Sequence, residues 1–141
     1  MATQQQSITI ETTVKAPVEK VWENWNKPEH IIQWNSASPD WHTPSAENDL
    51  RVGGQLKSRM EARDGSMGFD FAGTYTEVKE NEKLAYTLGD GRNVEVIFTP
   101  VEGGTHIKET FDAENQNSLE MQRMGWQAIL DSFRVYAEKG Q

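Results

Sequence analysis

The chain has 141 residues and a mass of 16.0 kDa, the size of one domain able to bury about two-thirds of its extended surface, and a 35% hydrophobic share rich in Trp and Phe argues against disorder of the whole chain. No cysteine is present, which excludes a disulfide framework, a thiol nucleophile and any cysteine-based metal site. Fourteen basic against 22 acidic residues give a formal net charge of -8, which repels phosphate backbones and anionic lipid heads and argues against nucleic-acid and membrane partners.

The opening MATQQQS has neither a basic head nor an apolar run of signal-peptide length, so a cytoplasmic location is expected. Residues 7–14 read as a half-buried strand, with Ile8, Ile10, Thr12 and Val14 alternating against Thr9, Glu11 and Thr13. Pro17 opens a short helix whose apolar face is Val18, Val21, Trp22 and Trp25; Asn26-Lys27 ends it, and Pro28 opens a second that runs to about Gln33. From Trp34 to Pro44 the chain reads as a loop, because Pro39 and Pro44 interrupt any long element. Trp34 and Trp41 there would seal the edge of the core or line the mouth of a pocket.

Strands follow at 43–47, 55–63, 68–78, 83–88, 93–100 and 105–112. The turn signals between them are Gly53-Gly54, Asp64-Gly65, Glu80-Asn81, Asp90-Gly91 and Gly103-Gly104. These intervals are too short for crossovers, so an antiparallel meander is the economical topology. Gly73 inside a long strand suggests a bend or bulge. A closing helix starts between Asn115 and Ser118 and stops at Gly140, and its Leu119, Trp126, Ile129, Leu130, Phe133, Tyr136 and Ala137 share one face. That arc, about 120° wide, suits a curved sheet better than a single partner helix. Gly125 beside it would let an opposing element approach closely. No repeat, linker or low-complexity tract marks a second domain, so residues 1–141 read as one domain with its core at about 7–138.

Chemistry-bearing motifs are scarce. His30, His42 and His106 are far apart in sequence and lack helical metal spacing, and there is neither a nucleophile elbow nor a phosphate-cradling loop. Glu109 alternates with Thr105, Ile107 and Phe111 on the inward side of the last strand. Buried there it would need a donor or be driven toward neutrality; the plainer alternative puts it at an exposed rim or pairs it with Arg59 or Arg123. Gln122 projects into the arc of Trp126 and Phe133, so the N-terminal half of the last helix would face a partly polar cavity or leave Gln122 exposed at the sheet edge. Trp34, Met60, Phe69, Phe71, Tyr75, Tyr86, Phe98, Met121 and Trp126 mix rigid rings with flexible thioethers, a composition suited to an amphipathic pocket as well as to an ordinary core.

The order of elements resembles the helix-grip fold of the START-like, or SRPBCC, superfamily. More narrowly, the chain resembles the activator of Hsp90 ATPase homolog 1-like family. The residues that carry this are Val14-Lys15-Ala16-Pro17 with Val21-Trp22, Pro28-Glu29-His30 to Trp34, Asp49 through Gly54, Gly68 through Tyr75, Glu82-Lys83-Leu84, Gly103-Gly104-Thr105 and Gly125-Trp126, spanning 7 to 138. The resemblance implies an α+β fold, with a curved antiparallel sheet wrapped around a long C-terminal helix, two short helices after the first strand, and a pocket between sheet and helix. It implies no universal catalytic residue, and stimulation of an ATPase is not carried over on it.

The resulting expectation is a protein that binds a small hydrophobic or amphipathic molecule without a cofactor or metal. Trp34, Phe71, Tyr75, Tyr86, Phe98, Met121 and Trp126 would form the wall, and Gln122 and Glu109 the polar contacts. Two alternatives stay open: an interaction module with a chaperone partner, and a cofactor-independent enzyme acting on an apolar small molecule, the less favoured of the two classes. An exposed edge strand that pairs with itself or is guarded by charge leaves a homodimer open as well.

Overall fold

Alternation along the first strand, β1 (Ser7–Val14), places Ile8, Ile10 and Val14 against the core and the polar residues outside. In the computed structural model, which describes residues 6–36 and 38–139, β1 is followed by α1 (Val18–Asn26) and α2 (Pro28–Trp34). Five strands then form a meander, β2 (Trp41–Asn48), β3 (Gln55–Ala62), β4 (Gly68–Lys79), β5 (Lys83–Leu88) and β6 (Asn93–Val101), before β7 (Gly104–Asp112) and α3 (Leu119–Lys139). The sheet is antiparallel throughout in the order β1-β7-β6-β5-β4-β3-β2, so the first strand closes beside the last. It curls into a half-barrel around α3, a helix-grip fold. The expected stop at Gly140 lies outside the described residues.

The five turn signals each supply one residue with positive φ: Gly53, Gly65, Asn81, Gly91 and Gly103. Such left-handed positions suit glycine and asparagine and let the strands reverse tightly. Ser118 caps α3 by accepting a hydrogen bond from the Met121 N–H on its Oγ at 3.1 Å. The core is densest where α3 sends Leu130, Phe133 and Ala137 into the sheet, all fully buried. There Phe133 meets the rings of Trp25 and Trp34 at 4.8 and 5.0 Å.

Several local expectations are corrected. β2 starts at Trp41 and runs through Pro44, because β2 is an edge strand with a register shift between His42 and Ser45, where a missing N–H is tolerated. The bulge in β4 lies between Tyr75 and Glu77 instead of at Gly73. Gly73 serves a different need: a Cβ there would stand 3.0 Å from the Tyr86 ring and 3.1 Å from the Thr87 carbonyl oxygen. Leu119, at the first turn of α3, is 43% exposed and outside the core face. Gly125 meets no close neighbour, since nothing lies within 4 Å of the Cβ position it lacks.

Candidate functional site

The backbone of α3 approaches the sheet most closely along β1. Toward β3, β4 and β5 side chains bridge the gap, as when Trp126 meets Phe71 edge-on at 5.9 Å. A cavity of about 420 Å³ occupies this space. Its helical wall is Met121, Gln122, Gly125, Trp126, Ile129 and Leu130. The sheet contributes Ser58, Met60, Phe71, Tyr75, Tyr86 and Glu109, and the end of α1 and α2 contribute Trp25, Asn26, Ile31 and Trp34. Phe69 and Met121, 47% and 64% exposed, mark the rim. Trp41 stands outside, 6.0 Å from the Phe69 ring.

Several wall residues are held in place by stacking or by hydrogen bonds. Trp126 stacks on Phe111 with ring centroids 3.8 Å apart and planes 10° from parallel, so its opposite side is presented to the cavity. Trp34 donates its indole N–H to the Asn24 carbonyl at 2.9 Å. Tyr75 donates its hydroxyl to Asn48 Oδ1 at 2.6 Å, while Asn48 Nδ2 donates to the Asn26 carbonyl at 2.7 Å. This chain of bonds ties the end of β2 to the end of α1, and burial pushes the Tyr75 hydroxyl pKa well above its ordinary value.

Glu109 takes the buried alternative. It is 6% exposed, it faces the cavity, and its backbone neighbours in register are Ile10 and Val96. Neither arginine weighed for it is its partner: Arg59 bonds Glu61 and lies 3.5 Å from Asp70, and no ion pair joins Arg123 to Glu109. Burial pushes the Glu109 carboxyl up to about 8. The same burial, with the Glu109 charge second, pushes the Tyr86 hydroxyl well above its ordinary value.

Of the nine residues expected at the site, Trp34, Phe71, Tyr75, Tyr86, Glu109, Met121, Gln122 and Trp126 line this cavity. Phe98 does not. It lies on the inward face of β6 but is covered by α1, with Trp22 at 5.4 Å and Trp25 at 5.6 Å. Gln122 lines the wall, yet its amide is committed to the backbone: Oε1 accepts from the Glu114 N–H at 2.9 Å, and Nε2 donates to the Glu114 and Asn117 carbonyls. It fixes the segment before α3 and has little capacity left for a ligand. Sequence reasoning missed Trp25, Asn26, Asn48 and Ser58. Signals existed for Trp25, which belongs to the apolar face of α1, and for Ser58, which alternates with Leu56 and Met60 along β3, whereas Asn48 ends a strand without clean alternation. Among the described residues no cluster of His, Asp and Glu could hold a metal ion, and no helix is long and apolar enough to cross a membrane.

A curled sheet gripping a long helix, with a cavity of ligand size between them, defines a helix-grip protein. The chain belongs to the activator of Hsp90 ATPase homolog 1-like family, whose model matches residues 15–138. The solution structure of an AHSA1-like protein from Aeromonas hydrophila is similar at 46% identity and a TM-score of 0.90, over 96% of this chain and 94% of that one. A solution structure from Cytophaga hutchinsonii is 52% identical with a TM-score of 0.82, over 95% and 93% of the two chains. A crystal structure from Chromobacterium violaceum, 22% identical with a TM-score of 0.84 over 94% and 96%, shares the fold. A search of curated proteins finds no match.

Proposed function

We propose that this protein binds a small hydrophobic or amphipathic molecule in the cavity between α3 and the sheet. The observation that carries this is a cavity of about 420 Å³ with aromatic walls and a few inward polar groups, within the size range of small-molecule sites. Its rings are pre-positioned by contacts on their far sides, as Trp126 is by Phe111, so a ligand would meet a surface already ordered. The fold supports the reading in general terms, since START-like proteins commonly bind hydrophobic ligands.

Native mass spectrometry of gently purified protein, followed by denaturation and identification of what is released, tests it. The expected result is a stoichiometric compound with an apolar body, absent from Gly125→Phe protein, whose new ring would occupy the cavity. Equal retention by the filled variant would count against the site. The family name refers to activation of the Hsp90 ATPase, and a chaperone-associated role would use outer surfaces. It would then survive Gly125→Phe and be lost on substitution at the rim or at Trp41.

A further inference from the structure

The polar side chains of the cavity that are more than nine-tenths buried include Asn26, Tyr75 and Gln122, each held by hydrogen bonds, and Ser58 at 5%, Glu109 at 6% and Tyr86 at 7% exposure. The last three differ from the others. They stand on β3, β7 and β5, so they approach the same space from across the curled sheet. Among the described residues none of the three makes a side-chain hydrogen bond or an ion pair. No fully inaccessible side-chain polar atom is left without a partner either, so these three groups reach the open space of the cavity. A buried polar group without a partner costs free energy that a complementary ligand group recovers.

The sign of that complement follows from the other charges that line the cavity. From β2 and the segment before α3 come Glu47 and Glu114. Glu114 already accepts the N–H groups of Gln116 and Asn117. The cation at the cavity is Arg92, and its guanidinium is held by Asp90 at 2.7 Å. Tyr75 and Tyr86 are neutral, and α1, α2 and α3 present no charged side chain to the cavity. Acidic groups therefore prevail, and the deepest has no counter-ion. Aromatic faces at Tyr86, Phe71 and Trp126 would also favour a positive group.

We infer that the preferred ligand class is a lipophilic amine, its ammonium on Glu109 and its apolar body against Trp126 and Phe71. This rests on the cavity being a ligand site and names the class that site takes. The ammonium supplies the missing counter-charge, and Tyr86 and Ser58 offer hydroxyl oxygens for its remaining N–H donors. A lipophilic carboxylate would be repelled. A lipophilic alcohol would satisfy one hydrogen bond and leave the carboxyl uncharged.

The test is calorimetric titration with phenylbutylamine, phenylbutanol and phenylbutanoate, which share one apolar body. Near pH 9 the amine is expected to bind at least about tenfold more tightly than the alcohol, with the carboxylate weakest. Amine affinity should rise by about tenfold per unit between about pH 6 and pH 8 and level off above, because below that range binding must expel the Glu109 proton. The alcohol should show no such slope. Glu109→Gln should abolish both the slope and the preference for the amine over the alcohol, as loss of the charge partner predicts. An amine that binds no better than the alcohol, or with no slope, overturns the inference and leaves the ligand cavity standing. Failure of all three probes on wild-type protein overturns both. If Glu109→Gln does not fold, the wild-type slope and the amine-to-alcohol ratio decide the matter.

Discussion

A carboxyl set among Ile10, Val96 and Tyr86 with no cation costs free energy whenever it ionises, and this makes stability depend on pH in a calculable direction. Glu109 is pushed up to about 8 in the folded chain, against an ordinary value near 4.5. Below the ordinary value both states carry the proton and the group contributes no difference. Between the two values unfolding releases the proton, so the ligand-free protein loses about 1.4 kcal/mol of stability per pH unit from this group, up to a ceiling of about 5 kcal/mol. Urea unfolding across that interval should therefore show a steeper fall for wild-type protein than for Glu109→Gln. Parallel profiles would mean that the carboxyl is solvated or paired. Alternation along β7 made the inward direction of Glu109 legible in the sequence. The absence of a partner was not legible, because Arg59 lies on β3, separated from β7 by β4, β5 and β6, and only the full sheet order shows which charges meet. Phe98 failed for a related reason: alternation gives the face of a strand but not which helix covers that point along it. Gln122 projects inward as the helical period predicts, yet the folding back of the segment at Glu114 and Asn117 decides what its amide bonds.

At the scale of elements, two glycines with opposite surroundings give opposite predictions. Gly125 in α3 has free space where a side chain would go, so Gly125→Ala should stabilise the protein by up to about 1 kcal/mol through helix propensity, measurable as a raised urea midpoint. Gly73 in β4 has the Tyr86 ring and the Thr87 carbonyl within 3.1 Å of the missing Cβ. Gly73→Ala should cost about 1–3 kcal/mol, the usual penalty of overpacking, and displace a cavity wall residue as well. The same measurement would show unchanged stability if the neighbouring strand simply shifted. Both glycines were visible in the sequence as interruptions of regular elements, but what stands opposite each was not. A close approach was expected at Gly125, and the structure puts it at Gly73. Sequence pattern marks where a side chain is missing and carries no information about what stands opposite. The extension of β2 through Pro44 was illegible on similar grounds, because a proline's effect depends on whether its strand is an edge.

For the whole molecule, the densely packed end and the open end of α3 divide the work. Phe133 is fully buried among Trp25 and Trp34, and Phe133→Ala should cost about 3–5 kcal/mol, seen as a large loss of the thermal or urea midpoint. The fold as a whole was legible: the antiparallel meander, the two short helices and the closing helix follow from alternation, turn residues and a broad helical face, and the family model agrees over 15–138. The cavity volume was not, because the same aromatic residues can fill a core or surround a space. The most direct test of the cavity as a ligand site is a two-dimensional amide NMR titration of the protein with phenylbutylamine, phenylbutanol and phenylbutanoate in turn, read for binding by any of the three. Shifts gathered at Ser58, Tyr86, Glu109 and Gly125, and abolished by Gly125→Phe, are the predicted result. Shifts absent at saturating probe, or confined to the outer face of the sheet around His106 and Lys108, would contradict it.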